Sequence, residues 1–311
     1  MRYAVPVKST VSETYNDVEY AFNYYSLPLS SSGFDDEPYD IWDGTISKDT
    51  GEYIIVAPLR RIYRSTTDAN TTYPPENLGK WVDYGATNST RMFAVNEQIL
   101  SPSNGTDGVV EFNFSRKTCF TMVGAEFGSV TLELTNNSTS EVVYTETFYG
   151  KDVRRTNFGN YFYDDFKNKT RLVVDNIKYL PSSTLKVIFS GDCSVDVMVI
   201  GRSKDMGCTI YGTSITPRAE LKITTDEYTG FNNVKILGKY RELSVLLVSE
   251  TNDFNILATN SEEIVGENIV WIPSQVDKFT ELTTLGYIES LDIPLDNPSK
   301  IELTTSIVGF H

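Results

Sequence analysis

Period-two alternation of apolar and polar residues runs through most of the chain, and helical periodicity is nearly absent. In GSVTLELTNNSTSEVVYTETF, Val130, Leu132 and Leu134 share one face while Thr131, Glu133 and Thr135 take the other. The NNSTS stretch between the two halves reads as a turn, so the segment predicts a hairpin with one wet side. The same alternation links Val110, Phe112 and Phe114, then Leu185, Val187 and Phe189, then Val195, Val197 and Val199. Clusters of Asn, Gly, Ser and Asp separate these strands at the spacing of an antiparallel, jelly-roll-like β-sandwich.

The flanking regions differ in character. Residues 1–95 hold Trp42, Trp81 and many of the tyrosines, and GEYIIVAPLRRIYRS reads as two short strands broken at Pro58, which cannot donate to a ladder. They predict a small aromatic-rich β module whose first 50 residues are either a folded part of it or an extended arm laid on a neighbour, a role that their Tyr and Val between polar residues would suit. Residues 96–215 form the sandwich. Residues 216–311 predict a C-terminal α+β domain, with strands in KILGKYRELSVLLVSETNDF, NIVWIPSQ and LTTLGYIESLDIPL, and a last one presenting Ile301, Leu303 and Ile307. SEEIVGEN (261–268) is the best short-helix candidate, because its Ser and acidic residues suit a first turn. The fold class is therefore mainly β. No repeat of 20–50 residues is visible, which argues against a solenoid or propeller.

Composition narrows the partners. The 311 residues carry 42 acidic and 27 basic side chains, a net charge of −15. Such a surface repels phosphate backbones and anionic lipid, so nucleic acid and membrane surfaces are poor partners. With 40% hydrophobic and 12% aromatic residues, the chain can build real cores. The N-terminal residues are too polar for a signal peptide and no apolar run reaches membrane-spanning length, so a soluble protein is expected.

Candidate chemistry is sparse. The single histidine is His311, so neither a Ser-His-Asp system nor a His-based metal site can be built. Cys119, Cys193 and Cys208 are widely spaced and read as buried free thiols rather than metal ligands. Phosphate-cradling glycine motifs are absent, and no cofactor, metal or catalytic residue is expected. Asp35, Asp36, Glu37, Asp40 and Asp43 form the densest acidic run; it lacks EF-hand spacing and reads as a solvated loop rather than a calcium site. Two carboxylates suffice for glycoside hydrolysis, yet a chain with 42 acids supplies such pairs anywhere. Trp42, Tyr63 and Trp81 admit two readings: a platform on which sugar rings stack, or the core of a small module.

One pattern is more specific. RRIYRSTTDANTTYPPENLGKW runs into GKWVDYGATNSTRMFAVN (79–96), and GCTIYGTSITPRAELK stands further on at 207–222. Together these resemble a family of virion structural proteins of tailed bacteriophages. Ile62 and Tyr63 match its first element, and Trp81, Asp83, Gly85, Thr87, Asn88, Met92 and Phe93 its second. Thr209, Tyr211, Gly212, Thr213 and Ser214 match a third, and NIVWIPSQ, LTTLGYIESLDIPL and SIVGF look like the family's end region. Ala86, Ser89-Thr90 and Ala94 depart from the pattern, standing where family members often carry Pro, Arg-Trp and Asp, and TPRAELK departs from it after the third element. Physically, GATN suits a tight turn whose side chains bond nearby backbone, with Met92 and Phe93 anchoring the next segment in a core.

The resemblance implies a non-enzymatic virion component in the tail or head-proximal collar, made in the host cytoplasm. It would act as an assembly brick between the tail core (tube or portal) and outer proteins or fibres, with copies forming a ring. Some family members carry a carbohydrate-binding-like sandwich, so the alternative is a host-surface glycan adhesion module using Trp42, Tyr63 and Trp81.

Overall fold

The alternating segments become antiparallel ladders. A computed structural model describes residues 1–94, 102–152, 167–210, 213–225, 232–250, 253–274, 282–294 and 300–309, and the chain is mainly β. The expected hairpin forms as Cys119–Asn136 paired with Glu141–Tyr149. Val130, Leu132 and Leu134 are buried while Thr131, Glu133 and Thr135 stay partly accessible. Each buried aliphatic contributes about 2 kcal/mol relative to exposure. Val110, Phe112, Phe114, Leu185, Val187, Phe189 and Val195 enter the same core.

The sequence reads two strands where the protein has one. Ser183–Asp205 is continuous through GDCS, the stretch expected to turn. Gly191 adopts φ +77°, and Asp107 adopts φ +49° on the facing chain. Gly191 donates its N–H to Asp107 Oδ1 at 2.7 Å, and Asp107 donates its N–H to the Gly191 carbonyl at 3.1 Å. Those bonds carry the ladder past the irregularity. Val109–Asn113 pairs with residues 184–188 on one side of it, and Ser103–Thr106 with residues 192–195 on the other.

Two compact units result: Val7–Ile200, and Met1–Pro6 together with Gly201–His311. The sequence divides the chain instead at 95/96 and 215/216. The first of those boundaries lies outside the described residues; residues 7–200, which include most of the aromatic module and most of the central strands, fall in one unit.

In the larger unit, Asp40–Ile41, Tyr53–Val56, Arg61–Ser65 and Trp81–Ala86 form a four-stranded sheet in that order. Pro58 lies in a 3-10 turn, Ala57–Leu59, that separates the two short strands as expected. Ile54, Val56, Leu59, Tyr63, Tyr73 and Trp81 make its core. The hairpin of Lys8–Tyr15 with Val18–Tyr25 packs Tyr15, Tyr20 and Phe22 against that core.

The smaller unit corrects two expectations. Arg2–Pro6 pairs with residues 201–205 on one edge and with Ile269–Ile272 on the other. Tyr3 is fully buried, so the start of the chain is an interior strand and not an arm. From Ile269–Ile272 the order continues through Thr284–Tyr287, Lys300–Gly309 and Asn232–Glu250, to which Ser214–Thr225 is paired. Ile301, Leu303 and Ile307 face the core as expected. The helix spans Phe254–Ile264 rather than 261–268. Ser261 falls in its last turn, and Leu257 and Ile264, seven residues apart, bury one stripe.

Candidate functional site

The aromatics singled out in the sequence meet, but as interior. Tyr63 is 0% and Trp81 1% exposed, and both sit in the core of the four-stranded sheet. Trp81 Nε1 donates to the Thr72 carbonyl at 3.0 Å, which satisfies its polar edge. Neither ring can present a face to a sugar, so a platform of Trp42, Tyr63 and Trp81 does not exist. Strand alternation decides this: Tyr63 and Trp81 occupy inward positions of neighbouring strands. Only Trp42 is half-buried. Its ring lies 5.5 Å from Tyr15 and 4.8 Å from Tyr73, both edge-on, and Tyr15 stacks on Tyr73 at 4.1 Å. Tyr15, Tyr20 and Tyr73 are invisible as a group in the sequence because the hairpin brings them in from about 50 residues away.

The residues of the second matched element hold the larger unit together. Arg61, itself buried, donates Nε and Nη2 to the Asp83 carboxylate, and Asp83 Oδ1 also accepts the Gly85 N–H at 3.0 Å. Gly85 sits at φ +117°, where a side chain is strained. Thr87 starts a single helical turn, Asn88–Arg91; its carbonyl accepts the N–H groups of Thr90 and Arg91, and its hydroxyl meets that of Thr90.

Asn88 reaches furthest. Its Nδ2 donates to the carbonyls of Asp35 and Asn104 at 2.9 and 2.8 Å, and its Oδ1 accepts the Asn104 N–H at 2.9 Å. One side chain thus ties three chain segments. Ser103 Oγ accepts the Met92 N–H and donates to the Asn88 carbonyl. Met92 and Phe93 are fully buried in the central core. Their carbonyls accept the N–H groups of Met198 and Tyr25. Thr90 and Ala94, two of the departures from the family pattern, are also buried.

The acidic run is bonded rather than loose. Glu37 accepts the Asn88 N–H and pairs with Arg91, and Asp36 accepts the Ser89 N–H. Negative charge at the first amides of a turn is favourable. Asp40 pairs with Lys48. Asp43 Oδ1 accepts the N–H groups of Thr45 and Ile46 and the Thr45 hydroxyl, and these bonds hold its carboxyl below the usual carboxylate range. Among the described residues no group of three His, Cys, Asp or Glu is placed to hold a metal ion.

An open groove of about 610 Å³ is lined by Asp35, Glu126, Asp192 and Cys193 with Asn104 and Phe127. Thr106 donates to Asp192 at 2.7 Å, and burial pushes the Cys193 thiol up to about 11. That thiol is inert at neutral pH. Cys119 is buried too, whereas Cys208 is exposed, against expectation. In the third matched element, Thr209 donates to the Pro273 carbonyl at 2.6 Å and Thr213 to that of Ile210; Tyr211 and Gly212 lie outside the described residues.

No helix among the described residues is long and apolar enough to cross a membrane. No protein family, no curated protein and no solved structure matches this chain.

Proposed function

We propose that this protein is a non-enzymatic structural component of a tailed-phage virion, in the tail or head-proximal collar. There it acts as an assembly brick between the tail core and outer proteins or fibres, with copies adjoining around the tail axis. One observation carries the reading. The residues that give the chain its resemblance to such proteins are occupied in holding the fold: the Arg61–Asp83 pair, the Asn88 bridge, and buried Trp81, Met92 and Phe93. A motif used in this way specifies a scaffold rather than a reaction. Mass spectrometry and cryo-EM of purified virions test it: the expected result is stoichiometric copies at the tail, and absence from the particle overturns the proposal.

A second reading keeps one specific support. Trp42, Tyr15 and Tyr20 are half-buried aromatics in contact through Tyr73, which leaves ring edges available to a host-surface glycan. A glycan array with the free protein decides it, since any binding that survives Trp42→Ala lies elsewhere.

A further inference from the structure

One end of the central strands of the larger unit gathers cations that nothing in the fold answers. The turn after Val109–Asn113 runs antiparallel to residues 177–183: Ile177 donates its N–H to the Thr118 carbonyl at 3.0 Å, Arg116 to that of Leu180 at 2.8 Å, and Phe114 to that of Ser183 at 2.9 Å. Lys178 and Tyr179 therefore stand across from Lys117, between the first two bonds. Arg116 holds φ +61°, a left-handed position better suited to glycine or asparagine, yet its side chain is exposed and bonds to nothing among the described residues. The Lys117 ammonium is half-buried, and its bond is to the Ser115 carbonyl at 3.0 Å, so a desolvated charge has no counter-charge. Burial alone lowers its pKa. Lys178 is exposed and Tyr179 is 52% exposed. No acid stands among residues 112–125 or 176–190, in a chain whose net charge is −15.

The opposite end of the same strands carries the opposite charge. Val109–Asn113 pairs with residues 184–188, and this ladder leads from the cations beside Asn113 to Asp107 and Gly191 at its far end. Five residues at about 3.4 Å each set the two ends about 17 Å apart. Just past Gly191 lies the open groove of about 610 Å³, lined by Asp35, Glu126 and Asp192, and no Lys or Arg lines it among the described residues. Asp35 and Glu126 are exposed, and Asp192 accepts only the Thr106 hydroxyl. None of these three carboxylates is paired with a cation, just as none of the three cations is paired with a carboxylate. Gly33 and Gly105 add bare backbone beside Phe127, which leaves the groove room for an inserted side chain.

We propose that the end bearing Arg116, Lys117 and Lys178 docks in the Asp35, Glu126 and Asp192 groove of a second copy of this chain, with Tyr179 as its aromatic anchor. A copy cannot fill its own groove, because the ladder holds the two ends apart. Two grooves repel each other and so do two basic ends, so only an unlike pair fits. The contact is therefore heterologous, head to tail, and closes into a ring where the rotation permits. Between copies that each carry a net charge of −15, a local match of this kind supplies the attraction that the surfaces as a whole lack. The proposal deepens the assembly reading, on which it rests for the expectation that copies adjoin.

The test is a charge swap on the full chain, read by sedimentation velocity. The unaltered chain should self-associate at about 0.05 M salt and do so about tenfold or more weakly at about 0.5 M, where exposed charges are screened. Arg116→Glu with Lys178→Glu makes both ends acidic, and Asp35→Lys with Glu126→Lys makes both basic, so each double variant alone should stay monomeric. An equal mixture of the two should associate again, because each then meets an unlike end. Thermal melting verifies that both variants fold. A second measurement needs no variant: ¹⁴N and ¹⁵N preparations of the unaltered chain, mixed and joined with a zero-length carbodiimide, should give mixed-isotope links from Lys117 or Lys178 to Asp35, Glu126 or Asp192. An unaltered chain that is monomeric at every concentration and salt, undiminished association by either variant alone, a folded mixture that stays monomeric, or links confined to one isotope overturns the proposal. Rings in virions that use other surfaces also overturn it and leave the structural role standing. Self-association through these two ends by a protein absent from virions does the reverse.

Discussion

Arg61 and Asp83 face each other across neighbouring strands, with Nη2 2.8 Å from Oδ1 and Nε 2.9 Å from Oδ2. The Arg61 side chain is 6% exposed and that of Asp83 28%. The guanidinium also lies 4.3 Å over the Phe22 ring, so one cation joins the four-stranded sheet to the N-terminal hairpin. Fork-to-carboxylate pairing fixes geometry as well as charge.

Removing the acid alone strands that cation. Asp83→Ala should destabilise the protein by about 2 kcal/mol, below the range for a fully enclosed pair because Asp83 keeps some water contact. Asp83→Asn, which still accepts a hydrogen bond, should cost less. The urea unfolding midpoints of both variants against that of the unaltered chain measure these costs, and an Asp83→Ala midpoint equal to the unaltered chain's would show that the pair holds nothing.

The first six residues make a sharper case. Arg2–Pro6 has a partner strand on each edge, and the Tyr3 ring lies 6.0 Å from Trp271 in the core of the smaller unit. The N-terminal ammonium donates to the Gly207 carbonyl. Deleting residues 1–6 should cost more than the roughly 3–5 kcal/mol of one large core truncation, since ladder bonds on both edges go too. Limited proteolysis should then cut within residues 201–309 while residues 7–200 stay resistant. Resistance across the whole truncated chain would restore the arm.

Legibility in the sequence depends on locality. Val130, Leu132 and Leu134 report their burial through period two alone, and so do Ile301, Leu303 and Ile307. The strand at Arg2–Pro6 is hidden because its partners lie some 200 residues away. The helix is displaced from its expected position because Ser261 and the acids after it look like a start, whereas Leu257 and Ile264 set the stripe. Gly191 suggests a turn because glycine marks both turns and irregular strand positions, and only the facing Asp107 distinguishes them. Tyr63 and Trp81 are ambiguous for a different reason: aromatic content shows that rings are present, and strand facing decides whether they are wet.

Alkaline stability depends on the buried tyrosines. Burial raises the Tyr3 and Tyr63 hydroxyls above their ordinary 10.0; for Tyr73 the hydrogen bond to Glu13 adds to burial. A raised folded-state value means the native protein holds its phenolic protons where the unfolded chain has begun to lose them. The stabilisation is therefore fully present below about pH 10 and is lost progressively above it. Tyrosinate absorbance should rise in two stages, exposed rings first, then these three together with the loss of β circular dichroism. A single smooth titration with no structural change would contradict the assignment.

Phe93 tests what the matched motif is for. Its ring packs edge-on to Phe112 at 5.9 Å, it is fully buried, and its carbonyl accepts the Tyr25 N–H at 2.8 Å. Phe93→Ala opens a cavity and should cost about 3–5 kcal/mol, while Met92→Leu nearly conserves volume and should cost under about 1.5 kcal/mol. If the motif serves the fold, incorporation into virions tracks these stabilities: Phe93→Ala is lost and Met92→Leu is retained. Loss of incorporation by Met92→Leu at an unchanged melting temperature would instead assign the motif a direct contact in the particle, and the buried position of Met92 argues against that outcome.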